Sequence, residues 1–249
     1  MHVLGIDIGG TGIKGAPVDV ATGKLLAERK KILTPRPATP EAVTAVVKEM
    51  AAEWEWTGPI GATFPAVVTH GVVHSAANVD KSWIDTDAAT TFGQAIGADV
   101  TVVNDADAAG IAEMTFGAGK DRHGTVLMLT FGTGIGTALF TGGILVANTE
   151  LGHIEVRGKD AEKRAAESAK EEHGWGWKEW SERVEEYMQH IEALLSPDLI
   201  IVGGGISKES EKWVPRLKGI RAPIVPASMH NDAGIVGGAM AAVGTATAG

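Results

Sequence analysis

The sequence predicts a two-lobed α/β protein. An apolar strand running into a glycine-threonine turn occurs twice, as GIDIGGTGIKG (5–15) and LMLTFGTGIGT (127–137). Each copy opens a β-meander that gives way to alternating helix and strand patterns. This weak internal repeat implies two similar lobes with a cleft between them. The expected division is 1–105 for a smaller lobe and 106–249 for a larger one, with the last helix packing back on the small lobe.

Taken in order, residues 2–8 (HVLGIDI) read as a buried strand, and 15–32 as a strand, a turn at Thr22-Gly23 and another strand. After a proline-rich connection, Thr39 and Pro40 are good N-cap and first-turn residues. The helix they open carries Val43, Val46, Val47 and Met50 on one face. Short buried strands follow at PIGATFP (59–65) and ADVTVVND (98–105). ADAAGIAEMTFG (106–117) is helix-like and stops at Gly117. Residues 125–146 form a second meander, and DLIIVGGGIS (198–207) is a buried strand entering a glycine loop. The segment 155–185 is highly charged, with Trp175, Trp177 and Trp180 close together. It reads as a solvated surface helix or an insertion anchored by its tryptophans.

Composition narrows the class. The chain has 249 residues, 44% of them hydrophobic, which suffices for a sizeable core. It has no cysteine, which excludes disulfides and cysteine-ligated zinc. No apolar run reaches the ~18 residues of a membrane span, and the N-terminus carries no signal-peptide pattern. A net charge of −9 argues against broad nucleic-acid binding. An anionic ligand therefore needs a local basic site.

The glycine turns are candidate phosphate loops. Backbone N–H groups bind phosphate oxygens where no Cβ blocks their approach and where a positive φ is allowed. Thr11 and Thr133 add hydroxyl donors. Asp7, at the strand end, suits Mg²⁺ held through water, with Lys14 as a neighbouring cation. Neither a Walker A pattern nor a Rossmann fingerprint is present in the first loop. Asn104 and Asp105 end a buried strand, where α/β sheets place ligands. Asp105 is the candidate general base; the alternative is that it caps the next helix, a role for which Asp107 is the better rival. Glu150 and His153 stand at i, i+3 in ELGH, and both can face one point to hold polyol hydroxyls, or lie on the surface. Asn78 is a further hydroxyl ligand or a turn residue.

GIDIGGTGIKG, VVNDADAAGIAE, TFGTGIGTALFTGG, ELGH and LIIVGGGIS stand in this order across most of the chain. Together they resemble the ROK family of sugar kinases, and most of all its short polyphosphate-using glucokinases. The resemblance implies an actin-like two-lobed fold of the hexokinase and ribonuclease H-like superfamily, with the active site in the interlobe cleft. It implies phosphorylation of the 6-hydroxyl of glucose, with the choice between glucose and mannose left open, Mg²⁺ as cofactor and polyphosphate and ATP as donors. The alternatives are an ATP-only sugar kinase of the same family and a non-catalytic sugar- or ATP-binding module of the same fold. Asp105 then becomes the base, and Asn78, Asn104, Glu150 and His153 the sugar ligands. Asp7, Gly9, Gly10, Thr11 and Lys14 form one phosphate loop, and Thr130, Gly132, Thr133 and Gly134 the other. Gly203, Gly204 and Gly205 lie where such kinases pass the nucleotide base. The family's cysteine zinc cluster after GH is missing, so no zinc site is expected. The second sugar-binding glutamate that accompanies the cluster is either Glu155 or Glu162. A cytoplasmic homodimer without nucleic-acid or membrane partners is implied. The polyphosphate cations fall among Lys14, Lys24, Arg29, Lys30, Lys31, Lys120, Arg122, Lys159, Lys163 and Arg164.

Overall fold

The computed structural model describes residues 1–77 and 79–246. The chain forms two compact units, residues 1–112 with 231–249 and residues 113–230. Among the described residues, no helix is long and apolar enough to cross a membrane.

The first unit is built on a six-stranded sheet. β1 (His2–Ile8) and β2 (Gly12–Asp19) form an antiparallel hairpin. The expected third strand divides in two: β3 (Lys24–Leu25) and β4 (Lys30–Leu33) both pair with β2, over different stretches of it. β5 (Ile60–Phe64) runs parallel to β1, and β8 (Val100–Asn104) parallel to β5. A small ribbon, β6 (Val68–Thr69) with β7 (Val72–Val73), lies between them in sequence. α1 (Pro40–Glu53) starts as its sequence dictates: Thr39 Oγ1 accepts from the Ala42 N–H, and Pro40 needs no partner in the first turn. It buries Val43, Val47 and Met50, while α2 (Ala88–Ile96) buries Phe92 beside the fully buried Trp83.

α8 (Ala233–Ala246) packs against β1, β2, β5 and β8. Glycine makes this contact close. A Cβ at Gly61 would lie 1.8 Å from the Gly238 carbonyl oxygen, and one at Gly5 would lie 2.0 Å from that of Ile235. Any side chain at either position would lift the helix off the sheet.

The second unit repeats the motif. β9 (Thr125–Phe131), β10 (Ile135–Thr141) and β11 (Ile144–Val146) form a meander. β14 (Leu199–Gly204) runs parallel to β9, and β15 (Ile224–Pro226) parallel to β14. α3 (Asp105–Phe116) brings the chain into this unit. The segment expected to be a solvated helix or insertion is instead core-forming. It holds a hairpin, β12 (Glu155–Val156) with β13 (Lys159–Asp160), then α4 (Glu162–Ala165), α5 (Glu167–His173) and α6 (Trp177–Leu195). Trp180, Val184, Tyr187, Met188 and Ile191 recur at helical spacing and are all buried. Trp180 packs edge-on to Phe131 and to Trp213 of α7 (Ser210–Trp213). The charges of 155–185 mark only the outer face of an amphipathic cover.

Candidate active site

In the first unit, three register pairs align one row of side chains across four strands. Asp7 stands opposite Thr63 on one side and Lys14 on the other, and Lys14 opposite Lys31. The buried Thr63 hydroxyl donates to Asp7 Oδ1 at 3.0 Å, and Lys14 Nζ lies 3.3 Å from Oδ2. Thr63 is a partner of Asp7 that the sequence reading missed; only the β1–β5 register identifies it. The Gly9–Thr11 turn above this row is closed by a bond from the Gly9 N–H to the Gly12 carbonyl, and Thr34 donates to the Gly9 carbonyl. Gly10 and Thr11 are exposed. Gly9, Gly10, Gly12, Gly132 and Gly134 all stay outside the left-handed region, so positive φ does not explain them. Close approach accounts for two of them: a Cβ on Gly12 would lie 2.6 Å from Lys31 Cε and one on Gly134 2.3 Å from Glu162 Oε2, whereas around Gly132 a Cβ would meet nothing within 4 Å.

At the end of β8, Asn104 is the residue that caps α3. Its Oδ1 accepts from the Ala106 and Asp107 N–H groups at 2.9 and 3.0 Å, and its Nδ2 donates to the Ala66 carbonyl. The capping role expected of Asp105 or Asp107 therefore falls to Asn104, whose amide keeps one N–H for any further partner. Asp107 is buried and Asp105 is exposed, with its Oδ1 accepting from the Ala106 N–H at 2.8 Å. Asn78 lies outside the described residues.

In the second unit, Gly203 and Gly204 pair with Thr130 and Phe131, which sets the third glycine run beside the second. Gly204 has φ +85°, and a Cβ there would lie 2.0 Å from the Phe131 carbonyl oxygen. Gly205, like Gly204, is exposed. Ser168 holds the Gly132–Gly134 turn from the start of α5, through its N–H to the Gly132 carbonyl and its hydroxyl to that of Thr133.

The ELGH turn lies against β10. The Leu151 N–H donates to Thr137 Oγ1, and Gly152 approaches the Ile135 carbonyl too closely for any Cβ. Glu150 and His153 then face each other, with Glu150 Oε2 3.7 Å from His153 Nε2. Burial raises the Glu150 pKa and Glu162 adds to the rise, while His153 opposes it. The other ring nitrogen, Nδ1, sits 3.0 Å from Asp160 Oδ2. Ligand atoms of His153, Asp160 and Glu162 lie within 4.8 Å of one another. Of the two open glutamates, Glu155 is exposed on β12, whereas Glu162 accepts from the Ile135 N–H and borders this group.

Asp160 is also absent from the sequence reading. It reaches His153 because Arg157 and Gly158, at φ 53° and 73°, turn β12 back into β13. A carboxylate only accepts, so Nδ1 carries a hydrogen; in the neutral ring Nε2 then accepts from a hydroxyl, and in the protonated ring it donates on the side where Glu150 stands. The Asp160 hydrogen bond raises the His153 pKa, and Glu162 and Glu150 add to it against the opposing effect of burial. With the folded value above the unfolded one, this contribution to stability is complete below the unfolded value of about 6.5 and is lost as pH rises through the folded value. Asp160→Asn lowers the His153 pKa toward its ordinary range, as followed by NMR titration of its ring proton; an unmoved midpoint contradicts the assignment.

The chain as a whole matches a known family. The ROK family profile covers residues 3–167, and the chain belongs to that family. Among curated proteins it is 54% identical over 247 residues to the polyphosphate glucokinase of Mycobacterium tuberculosis (strain ATCC 25618 / H37Rv), covering 99% of this chain and 93% of that one. It is 50% identical to the polyphosphate glucokinase of Mycobacterium leprae (strain TN), over 98% of this chain and 75% of the relative. The inorganic polyphosphate/ATP-glucomannokinase of Arthrobacter sp. strain KM superposes with a TM-score of 0.92 at 51% identity, over 100% of this chain and 99% of that one. A ROK family glucokinase from Streptomyces griseus, at 24% identity and a TM-score of 0.80 over 96% and 98% of the two chains, shares the fold.

Proposed function

We propose that this chain transfers a phosphoryl group from inorganic polyphosphate or ATP to the 6-hydroxyl of glucose, with mannose as a second acceptor. The observation that carries the reading is near-full-length identity of 54% to a polyphosphate glucokinase. Asp105 accepts the 6-hydroxyl proton as the oxygen attacks the terminal phosphorus. The bond from that phosphorus to the bridging oxygen breaks, releasing ADP or a polyphosphate one unit shorter. Glu150, His153 and Glu162 hold sugar hydroxyls, and Asn104 holds Asp105 at the start of α3 while offering its remaining N–H. The Gly9–Thr11 and Gly132–Gly134 turns take phosphate oxygens on their backbone N–H groups.

A single half-buried carboxylate beside a phosphate loop suits Mg²⁺, which keeps most of its ligands as water and phosphate. Asp7 would hold it through water, and the ion screens phosphate charge when bound. Cytoplasmic location and a homodimer complete the reading, the dimer being testable by sedimentation.

The deciding experiment is coupled glucose 6-phosphate formation with Mg²⁺, run in parallel with ATP and long-chain polyphosphate. Turnover with both supports the reading. Turnover with ATP alone retains the kinase and removes the polyphosphate assignment. No turnover with either, in folded protein, overturns both.

A further inference from the structure

We propose that the donor's non-transferred phosphates leave the first glycine turn along the edge of the first unit's sheet, over a basic strip of Lys14, Lys31 and Arg29, with Lys31 as its principal contact. This inference rests on the polyphosphate-kinase reading and adds the path of the chain.

Three independent features define the strip. Register is the first. Lys14 and Lys31 are direct antiparallel partners, so their side chains share one face of the sheet, the face on which Asp7 stands. The second is contact with the turn. A Cβ on Gly12 would lie 2.6 Å from Lys31 Cε, so the lysine stem lies across the base of the glycine turn. The lack of a side chain at position 12 is what lets the stem lie there. The third is the start of α8, which faces the same row: a Cβ on Gly234 would meet the Asp7 carboxyl carbon at 2.7 Å. Arg29 pairs with Asp232, just before that helix, at 2.9 Å.

Charge separates Lys31 from its paired neighbours, and the register separates it from Lys24, Lys120, Arg122, Lys159 and Lys163, which form no ion pair among the described residues either but lie off the Asp7–Lys14–Lys31 row. Lys30, one residue away on the opposite face, is held by Glu53 and Glu49 of α1. Lys14 is held by Asp7, Arg29 by Asp232, and Arg164 by Glu186. Among the described residues Lys31 forms no ion pair. Three cations against two carboxylates leave the strip at +1, on a protein of net charge −9. The positive end of α8 adds to it. A linear polyanion fits such a row, with one cation at the turn and more in line toward the open edge. ATP ends in a nucleoside after three phosphates and has less to gain from cations farther along.

The test compares wild type, Lys31→Gln, Lys31→Arg and Lys24→Gln with long-chain polyphosphate, tripolyphosphate and ATP at two salt concentrations. Lys31→Gln should raise KM for long-chain polyphosphate about fivefold, the worth of one exposed charge contact, and flatten its salt dependence. The rise should be smaller for tripolyphosphate and for ATP, and Lys31→Arg should restore the wild-type KM. Lys24→Gln removes the same charge from β3, off the strip, and should leave that KM alone. An unchanged KM in Lys31→Gln, or an equal rise in Lys24→Gln, overturns the strip while wild-type polyphosphate turnover stands. Absence of that turnover in wild type overturns the donor reading, and the strip with it.

Discussion

Asp105→Asn is expected to fold like the wild type and to lose about 10²- to 10⁴-fold in kcat with either donor. The substitution keeps the shape of the side chain and an oxygen able to accept the Ala106 N–H bond. The cap of α3 is Asn104, whose two bonds to Ala106 and Asp107 do not involve the substituted group. One structural loss is a negative charge in the first turn of the helix, worth about 0.3–1 kcal/mol. What is lost chemically is the ability to take a proton. The two effects are read separately, kcat by the coupled assay and stability by thermal unfolding. A variant that retains a tenth or more of wild-type kcat sinks the general-base role. One that unfolds well below wild type shows that Asp105 carries more of α3 than its capping neighbour does.

Parts of this site were legible in the sequence because local rules determine them. The first strand and the Thr39-Pro40 helix start depend on residues within a few positions of each other and stand as read, whereas β2 opens already at Gly12 and takes Lys14 from the expected glycine loop into the strand. ELGH is also local, and its i, i+3 spacing brings Glu150 and His153 to 3.7 Å. The residues that tune these groups were not legible, because register supplies them. Thr63 reaches Asp7 across 56 positions, and Asp160 meets His153 only because a hairpin reverses the chain between them. The same holds for Lys31: among ten candidate cations, only the strand pairing singles it out. The tryptophan-rich segment misled for a different reason. Its charge density dominates the composition, whereas its burial is set by Trp180, Val184, Tyr187, Met188 and Ile191 at helical spacing. The signal was there, and the helical period rather than the charge count would have found it.

Glu113→Ala should destabilise the second unit by about 3–5 kcal/mol, against a whole-domain stability of about 5–15 kcal/mol. Nothing in AGIAEMTFG marks this glutamate, yet it is fully buried. Its Oε1 accepts from the Ser228 and Met229 N–H groups at 2.8 and 2.6 Å. Its Oε2 accepts from the Ala118 N–H at 2.7 Å and the Ser228 hydroxyl at 3.2 Å. Alanine leaves three backbone donors and one hydroxyl without their acceptor; a fully buried unmatched donor costs about 1–3 kcal/mol, and water recovers part of that here because Ala118 and Met229 are half-buried and Ser228 is exposed. The chain enters this unit at Glu113 and leaves it at His230, so one carboxylate ties the two ends of the unit together. Glu113→Gln separates acceptor loss from cavity formation. It keeps the volume and one acceptor oxygen but turns an NH₂ toward two donors, so its loss should approach that of alanine if the hydrogen bonds dominate. If packing dominates, Gln should behave like the wild type. The measurement is urea unfolding together with hydrogen exchange at the Ala118, Ser228 and Met229 amides. A shift below about 1 kcal/mol in Glu113→Ala, with those amides still protected, means that the carboxylate is dispensable and that the backbone of 228–229 is held by other contacts.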